Sequence, residues 1–534
     1  MEKIAPPRGL TYNAGVKSKP SPKQDPELTQ GLRFFLYLTA ATTGGAIMVV
    51  EILGAKMLSP FVGLSHFVWT AQIAVTLVAL ACGYYVGGRL ADNSQELSRL
   101  YGAILGAAAY LGLTVLICEP VAYWCLDFNL AVWSLMASAI LFFVPLALLA
   151  MTGPFLVRVI TSSVTGVGGN VGRLTSISTL GSFAGTMVIG YVAIPLLPNS
   201  FTMYATAGAL LLVCAVYFTV FRRRLAMLLP ALLFLALAIA FTVYSDINRH
   251  YTWATEIFHG NSHFGQLQVI DRKDGAARYY LNDNLVQNIY DPVKKQSAAT
   301  FTYMLATLAR AYTTNINDVL CIGLGMGMVT MDFARHGAKV DVVEINPAVL
   351  PVAEQFFDFK PQNIRIAFDD GRHYLNRCRK RYDVIVLDAF LGDSSPSHLL
   401  TREAFASMLN VLRPGGTLVI NCFGELEEGK DFFTASLDKT LSAVFPGVRL
   451  HSNGSGAVFF AATARPNPQF VREPDLSGVH PSVLHEVEAA LHSHLDVTQS
   501  HGRLLTDNYN PVEFYDARNR ESIRRRLALA VKDM

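Results

Sequence analysis

Seven long apolar runs occupy the first half of the chain, at about residues 33–57, 66–87, 101–121, 130–152, 174–197, 200–221 and 225–245. A helix needs about 20 residues to cross the roughly 30 Å of hydrocarbon in a bilayer, and each run has about that length. Asp, Glu, Lys and Arg number 14 in residues 31–245 but 63 in residues 246–534. This division excludes a single soluble fold, a disordered chain and a disulfide scaffold, and it predicts a multi-pass helical membrane bundle followed by a charged globular domain.

The segments of the chain follow from this division. Residues 1–30 are predicted to be a mobile polar tail, and residues 31–245 a transmembrane domain of about seven helices. Residues 246–312 are predicted to form a small β-rich subdomain with one helix, residues 313–465 a Rossmann-like domain, and residues 466–534 a C-terminal extension. The net charge of +3 gives no reason to expect nucleic acid, whereas the bundle implies a lipid bilayer. The seven cysteines show no metal-ligand spacing, so no metal is expected.

Arginines are distributed unevenly over the connections between the apolar runs. The connections after the second, fourth and sixth runs contain Arg89, Arg99, Arg158, Arg173, Arg222, Arg223 and Arg224. The alternate connections have only Lys56. Because cytoplasmic loops are enriched in Lys and Arg, the arginine-bearing ends are predicted to face the cytoplasm, which with seven spans places the C-terminal domain on the other side.

Two features inside the runs are informative. Glu51 lies within the first run, and a carboxylate at that depth is costly. It therefore has either a functional role or a position near the interface where it pairs with Lys56. Small residues in the first and fifth runs predict close helix packing: Gly44, Gly45, Gly181 and Gly185.

The pattern changes from about residue 260. The short runs "GQLQVIDR", "ARYYLND" and "LVQNIY" are separated by turn residues and predict a small antiparallel sheet, and a helix is expected over about 294–312. Continuous apolar strands then alternate with amphipathic helices from "DVLCIGLG" to "GAVFFAAT", which predicts a doubly wound, mainly parallel sheet. Ligands bind such sheets at the carboxyl ends of the strands.

Three groups of residues fall at those ends. Gly323, Gly325 and Gly327 follow the first strand, Glu344 ends the second and Asp370 ends the third. A glycine turn allows a ligand to approach the backbone, and an acid after the second strand can accept hydrogen bonds from ribose hydroxyls. A GxGxG turn alone also occurs in dinucleotide enzymes, but Met328 stands where their third glycine would be. Together the three groups favour an adenosyl ligand, and the alternative is that each is turn or cap chemistry.

Asp388 ends the fourth strand in "VIVLDAFLGDSSPSHLLT". Beside a sulfonium-bearing ligand, its carboxylate can either stabilise the positive charge or take a proton from an attacking amine. Asp393 and His398 lie on the loop that follows, which is long enough to act as a lid. They are candidates for substrate contact, although loop side chains of these types are commonly just solvated.

Residues 261–425 resemble the polyamine aminopropyltransferases, the spermidine synthases. The likeness rests on five motifs in order, namely "YYLNDNLVQ", "VLCIGLGMG", "VVEIN", "DDG" and "DVIVLDAF". The stretches "SPFVGLSHFVWT" and "GRLTSISTLGSFAGTMVIGYVAIPLL" resemble the membrane region of bacterial proteins in which such a bundle is fused to a spermidine-synthase-like domain. The resemblance implies a Rossmann-like fold of the methyltransferase type, with decarboxylated S-adenosylmethionine as co-substrate and a small-molecule amine as acceptor. It also implies that the ligands are bound by Gln287, Glu344, Asp370, Gly371 and Asp388. In this resemblance Asp388 is the general base.

The chain departs from the family at several acceptor positions. Met326 replaces an Asp of the glycine loop that contacts the amino end of the co-substrate, and Leu391 replaces a second acid that helps to bind the polyamine. A Tyr-His-Glu on the preceding helix is represented by residues 301–303, and a Tyr-Gln near the start by residues 264–265. Because a polycation needs carboxylates, these replacements remove several groups expected at a polyamine site, whereas the cofactor scaffold is kept.

Three functions stay open on the sequence. The leading one is a membrane-bound aminopropyltransferase that acts on an amine such as putrescine, and we consider a homodimer as its assembly. The second is an S-adenosylmethionine-dependent methyltransferase acting on a membrane-associated substrate, which Met326 and the missing acids favour. The third is a non-catalytic transporter or sensor that binds a nucleoside or polyamine, supported by Glu51 and a Gly-Gly-Arg loop.

The side of the membrane is where the predictions conflict. Both cofactors are made in the cytosol, so we expect the catalytic domain on the cytoplasmic face of the cell membrane, whereas the arginine connections predict the opposite face. A miscounted span, for instance a re-entrant segment within residues 153–197, an overridden charge rule, or a ligand delivered outside would each resolve this conflict.

Overall fold

The structure is a computed structural model. It describes residues 29–61, 66–125, 128–161, 167–223, 225–247, 253–390, 396–454, 456–493, 495 and 501–515. Asp393, Leu391 and nearly all of the predicted tail lie outside the described residues.

Seven helices, α1 to α7, are long and apolar enough to cross a membrane by length and composition. They are Gln30–Phe61, His66–Asn93, Leu97–Cys125, Leu130–Ile160, Val167–Leu196, Asn199–Phe221 and Leu225–Asp246. Their number and order agree with the prediction from the apolar runs. Most of them extend beyond the run that predicted them, because the helix continues through polar and glycine residues at its ends.

Glycines allow α1 and α5 to pack backbone against backbone. A Cβ atom at Gly181 would collide with the carbonyl oxygen of Ala41, and one at Gly185 would lie 2.6 Å from the carbonyl oxygen of Gly45. Larger side chains at these positions would force the helices apart. The predicted close packing is therefore confirmed at this helix pair.

A small antiparallel sheet follows the bundle. Its strands, in sheet order β1 to β5, are Ala254–Ser262, Gly265–Arg272, Arg278–Asn282, Leu285–Asp291 and Gln296–Ser297. Helix α8, Thr300–Tyr312, begins later than the predicted residue 294. The reason is that β5 pairs with β4, which commits the backbone of Gln296–Ser297 to the sheet.

A seven-stranded sheet forms the centre of the globular domain. Its strands β6 to β12 are Asp318–Ile322, Lys339–Glu344, Ile364–Phe368, Tyr382–Leu387, Leu412–Phe423, Gly447–Ser452 and Ala457–Thr463. The order is β11-β12-β10-β9-β6-β7-β8, and β12 runs antiparallel to both of its neighbours. The predicted doubly wound, mainly parallel sheet is confirmed.

Helices cover both faces of this sheet. Helices α9 to α15 are Met328–Arg335, Val349–Phe356, Gly371–Arg377, Arg402–Val411, Phe432–Ser442, Leu484–His492 and Val512–Tyr515. Alternate residues of β6 join two cores: Val319 packs in the cluster that contains Leu308 of α8, and Leu320 in the cluster that contains Phe405 of α12. Burial on both faces explains why the central strands read as continuous apolar runs.

The globular domain contacts one end of the bundle. Near the end of α1, Lys56 Nζ lies 3.3 Å from Asp283 Oδ2 in the turn between β3 and β4, so Lys56 pairs with the domain and not with Glu51. At the start of α2, the His66 ring lies 6.1 Å from the ring of Phe514. Arg158 lies 3.6 Å from Asp92 at the end of α2, and Arg222 lies 3.9 Å from Glu96 just before α3, so these arginines are at the opposite ends of the helices. Among the described residues of the segment 153–197, α5 runs from Val167 to Leu196 without a re-entrant turn. The helices are assigned as spans by length and composition, so the miscounted span stays a prediction.

Candidate active site

A cavity of about 670 Å³ lies between the small sheet and the carboxyl ends of the central strands. Most residues predicted for the site line this cavity: Gln287, Gly323, Gly325, Glu344, Asp370, Gly371, Asp388 and His398. Gly327 does not line it, because its Cα faces the ring of Phe359 where α9 begins. The topology thus brings together side chains from four strand ends and from the small sheet.

The glycine turn after β6 allows two strand ends to meet. Gly323 has φ +102°, and a Cβ atom there would collide with the carbonyl oxygen of Asp388. The Asp388 amide donates to the carbonyl of Ile322 at 3.0 Å, which joins the end of β9 to the end of β6. Gly325 has φ +51° with open space beside its Cα. Gly323 therefore brings Asp388 to the turn, and Gly325 leaves room for a ligand to approach the backbone.

Glu344 at the end of β7 organises the neighbouring backbone. Its Oε2 accepts from the amide of Leu324 at 2.9 Å, and its Oε1 accepts from the amide of Asn346 at 2.8 Å. Burial raises the pKa of Glu344, and these amide hydrogen bonds oppose the shift. Each carboxylate oxygen keeps a second lone pair, so the group can still accept hydrogen bonds from a ribose.

Asp370 has a structural role as well as a place in the cavity wall. Its Oδ1 accepts from the amides of Arg372 and His373 and so caps helix α11, which is the cap chemistry that the sequence left open. Its Oδ2 lies 2.8 Å from Nε2 of His398. Burial acts to raise the pKa of Asp370, but the His373 amide and His398 outweigh it and lower the pKa. His398 therefore contacts the predicted cofactor acid directly.

Asp388 is partly buried at the end of β9. Burial raises its pKa to about 6, and a hydrogen bond of 2.9 Å from the Asn421 side-chain amide to its Oδ1 opposes the shift. A carboxyl group with this pKa is mostly ionised at neutral pH and is more basic than an ordinary Asp, which suits proton transfer. Asn421 was not predicted, and the only signal for it was its place in β10, the neighbour of β9.

The remaining wall of the cavity is largely apolar. Met326 lines the cavity and is 1% exposed. The lining also includes three other residues at positions where the chain differs from the family pattern, Phe264, Phe301 and Thr302. The cavity is also lined by two acids that were not predicted from the sequence, Asp369 and Glu486. Glu486 belongs to the C-terminal extension and accepts from Thr300 Oγ1 at 2.5 Å, so no local motif pointed to it.

No group of three or more His, Cys, Asp and Glu side chains within the described ranges is arranged to hold a metal ion.

The sheet order and the acids at its carboxyl edge place the globular domain in the class of Rossmann-like domains of the methyltransferase type. Residues 299–451 match the family model described as the spermine/spermidine synthase domain. The polyamine aminopropyltransferase of Vibrio vulnificus is 31% identical over 227 residues, which are 40% of this chain and 74% of that protein. The chain therefore belongs to the spermidine synthase family of transferases.

Other relatives differ in coverage and in name. A probable polyamine aminopropyl transferase of Bifidobacterium longum is 27% identical over 227 residues, 42% of this chain and 49% of that protein, so the match spans about half of its length. An N-terminal histidine N-methyltransferase of Emericella nidulans is 31% identical over 212 residues, 35% of this chain and 37% of that protein. A probable spermidine synthase of Corynebacterium glutamicum, at 18% identity and a TM-score of 0.37, covers 46% of this chain and 88% of its own.

Proposed function

We propose that the protein is a membrane-bound aminopropyltransferase that transfers an aminopropyl group from decarboxylated S-adenosylmethionine to an amine such as putrescine. The observation that carries the proposal is Asp388, a carboxyl group with a raised pKa at the end of β9. It lines the same cavity as Glu344, which lies at the end of β7. Membership of the spermidine synthase family supports the same reaction.

The reaction is a displacement at the carbon next to the sulfonium. The acceptor nitrogen forms a bond to that carbon, the carbon–sulfur bond breaks, and its electron pair stays on sulfur, which releases methylthioadenosine. The nitrogen loses a proton to the Asp388 carboxylate. Asn421 holds that carboxylate by its Oδ1, and the partly buried setting keeps it basic enough to accept the proton.

The other predicted residues hold the ligands. Glu344 would bind the ribose hydroxyls with its free lone pairs, and the Asp370–Gly371 turn would lie at the adenine edge. Gln287 and His398 line the cavity from the small sheet and from the segment before α12, and they are proposed to contact the substrate. Asp393 keeps the role predicted for it from the sequence, and it lies outside the described residues.

A second candidate function is methyl transfer from S-adenosylmethionine itself. The buried thioether of Met326 offers no countercharge for the aminopropyl ammonium, and this observation favours a different donor. The similarity to an N-terminal histidine N-methyltransferase supports the same candidate.

Product analysis distinguishes these functions. The purified full-length protein is expected to convert decarboxylated S-adenosylmethionine and putrescine into methylthioadenosine and an aminopropylated amine. Chromatography and mass spectrometry identify these products. S-adenosylmethionine, supplied with the same acceptor and separately with native membranes as the source of a membrane-associated acceptor, is the matched control. Formation of S-adenosylhomocysteine instead would establish the methyltransferase, and binding of either donor without turnover would support the sensor or transporter and contradict both reactions.

We propose that α1 to α7 cross the cell membrane and that the catalytic domain lies on the cytoplasmic face. The helices have the required length and composition, and the donor molecules are made in the cytosol. The observation against this face is the arginine placement, since the domain contacts the ends of the helices opposite the arginine connections. A cytoplasmic domain therefore requires either that one span is miscounted or that the charge rule is overridden.

Cysteine labelling in intact cells tests the orientation. Asp475→Cys lies on the exposed surface of the globular domain, and Asp92→Cys lies at the arginine-bearing end of α2. With Cys82 and Cys378 replaced, an impermeant thiol reagent is expected to label position 92 and to spare position 475. The reverse pattern would place the domain outside and contradict the proposed orientation.

A further inference from the structure

The membrane bundle touches the globular domain through a largely enclosed ion pair. The side chains of Lys56 and Asp283 are 13% and 12% exposed, with 3.3 Å between Nζ and Oδ2. A pair that is mostly removed from water is screened less than a surface pair, and loss of either partner leaves the other charge uncompensated. Removal of either charge is therefore expected to loosen the element that carries Asp283.

Asp283 holds the turn between β3 and β4 against the start of β2. Its Oδ1 accepts from the amide of Gln266 at 2.9 Å, and its own amide donates to the Gln266 carbonyl at 2.9 Å. It thereby joins the turn between β3 and β4 to the first residues of β2. Phe264, which directly precedes β2, and Asn282, the last residue of β3, both line the active-site cavity.

The start of β2 is connected to the predicted cofactor acid through two further side chains. Ser262 Oγ donates to the carbonyl of Gly265 at 2.7 Å and accepts from Asn346 Nδ2 at 3.0 Å. The amide of Asn346 donates to Glu344 Oε1 at 2.8 Å. A continuous series of polar contacts thus runs from Lys56 in α1 to Glu344.

A second contact supports the opposite wall of the cavity. The rings of His66 and Phe67 each lie 6.1 Å from that of Phe514. Four residues earlier, Asn510 Nδ2 donates to the carbonyl of Ser397 at 2.9 Å, between the cavity-lining residues Pro396 and His398. The end of α1 and the start of α2 therefore contact segments on two sides of the cavity.

We infer that Lys56 is a positioning residue: its ion pair with Asp283 lets the membrane bundle hold the substrate-facing wall of the transferase cavity in place. This inference rests on the proposed function, and it makes donor affinity in the globular domain dependent on a residue of the bundle. Lys56 acts through Asp283 and contacts no predicted substrate atom.

The test uses the full-length protein with Lys56→Met. The KM for decarboxylated S-adenosylmethionine is expected to rise about tenfold, with kcat changed less than twofold. Amide hydrogen exchange is expected to speed up in residues 262–268 and 281–287. Lys56→Arg should restore both, because it keeps the charge.

Two companion variants isolate the ion pair. Asp283→Asn keeps an oxygen for the Gln266 amide and a residue type that tolerates φ +46°, but it removes the charge. Its effect should match that of Lys56→Met, and the double variant should be no worse than either single one. Lys295→Met is the control, because it removes a Lys–Asp pair of 3.2 Å in the turn between β4 and β5, and neither partner lines the cavity.

The outcomes separate the two proposals. Unchanged exchange and an unchanged KM in Lys56→Met would overturn the positioning role. Faster exchange in residues 262–268 and 281–287 of a protein that makes no aminopropylated product would sustain the structural coupling and overturn the proposed reaction. An equal response in Lys295→Met would show a general loosening of the small sheet and would also overturn the role of Lys56.

Discussion

Replacement of Asp388 by Asn is expected to lower kcat by about 10²- to 10⁴-fold, the range that a positioned general base contributes. The amide keeps the shape of the carboxyl group and can still accept from Asn421, but it cannot take the proton of the attacking amine. Methylthioadenosine should bind the variant nearly as tightly as the wild type. Steady-state kinetics and calorimetry measure the two effects separately.

The pH dependence gives the same residue a second signature. Because burial raises the pKa of Asp388 to about 6, the catalytic carboxylate is lost as the pH falls through that value, and wild-type turnover should fall with it. The residual activity of Asp388→Asn should lack this acidic limb. Asp475→Asn, a change at an exposed acid outside the cavity, is the matched control and should behave as wild type. A variant at position 388 that keeps more than about a tenth of kcat would refute the general-base role.

Replacement of Glu344 by Gln is expected to weaken methylthioadenosine binding by about 10- to 100-fold. Both carboxylate oxygens accept backbone amides, from Leu324 and Asn346, and Gln offers only one accepting atom. Its NH₂ group would face an amide donor, so one buried hydrogen bond is lost and the ribose contact is disturbed. The free energy of unfolding should also decrease by about 1–3 kcal/mol.

Calorimetric titration of the purified variant, together with denaturant unfolding, checks both effects. Glu354→Gln on the exposed face of α10 is the control, because it makes the same chemical change outside the cavity. Unaltered affinity in Glu344→Gln would show that this acid does not carry the nucleoside contact.

Local patterns account for what was predictable in the fold. The apolar runs are long enough to identify seven helices, and the continuous apolar strands identify a parallel sheet, because both signals depend on residues close together in the sequence. The positions of Glu344, Asp370 and Asp388 followed from the same patterns, since the carboxyl ends of parallel strands share one edge. The start of α8 was misplaced because pairing of β5 with β4 is a contact that helix periodicity does not contain.

The sequence by itself determined the two-part architecture and the acids at the strand ends. The reason is that helix and strand periodicity and burial produce patterns among residues that are close together in the sequence. Only the tertiary structure decided that Asp388 is held by Asn421, 33 positions away, and that Glu486 of the C-terminal extension lines the cavity. It likewise decided that Lys56 pairs with Asp283, 227 positions away, and not with Glu51. Such contacts depend on how elements that are distant in the sequence pack together. That packing is determined by the whole chain and not by any single motif.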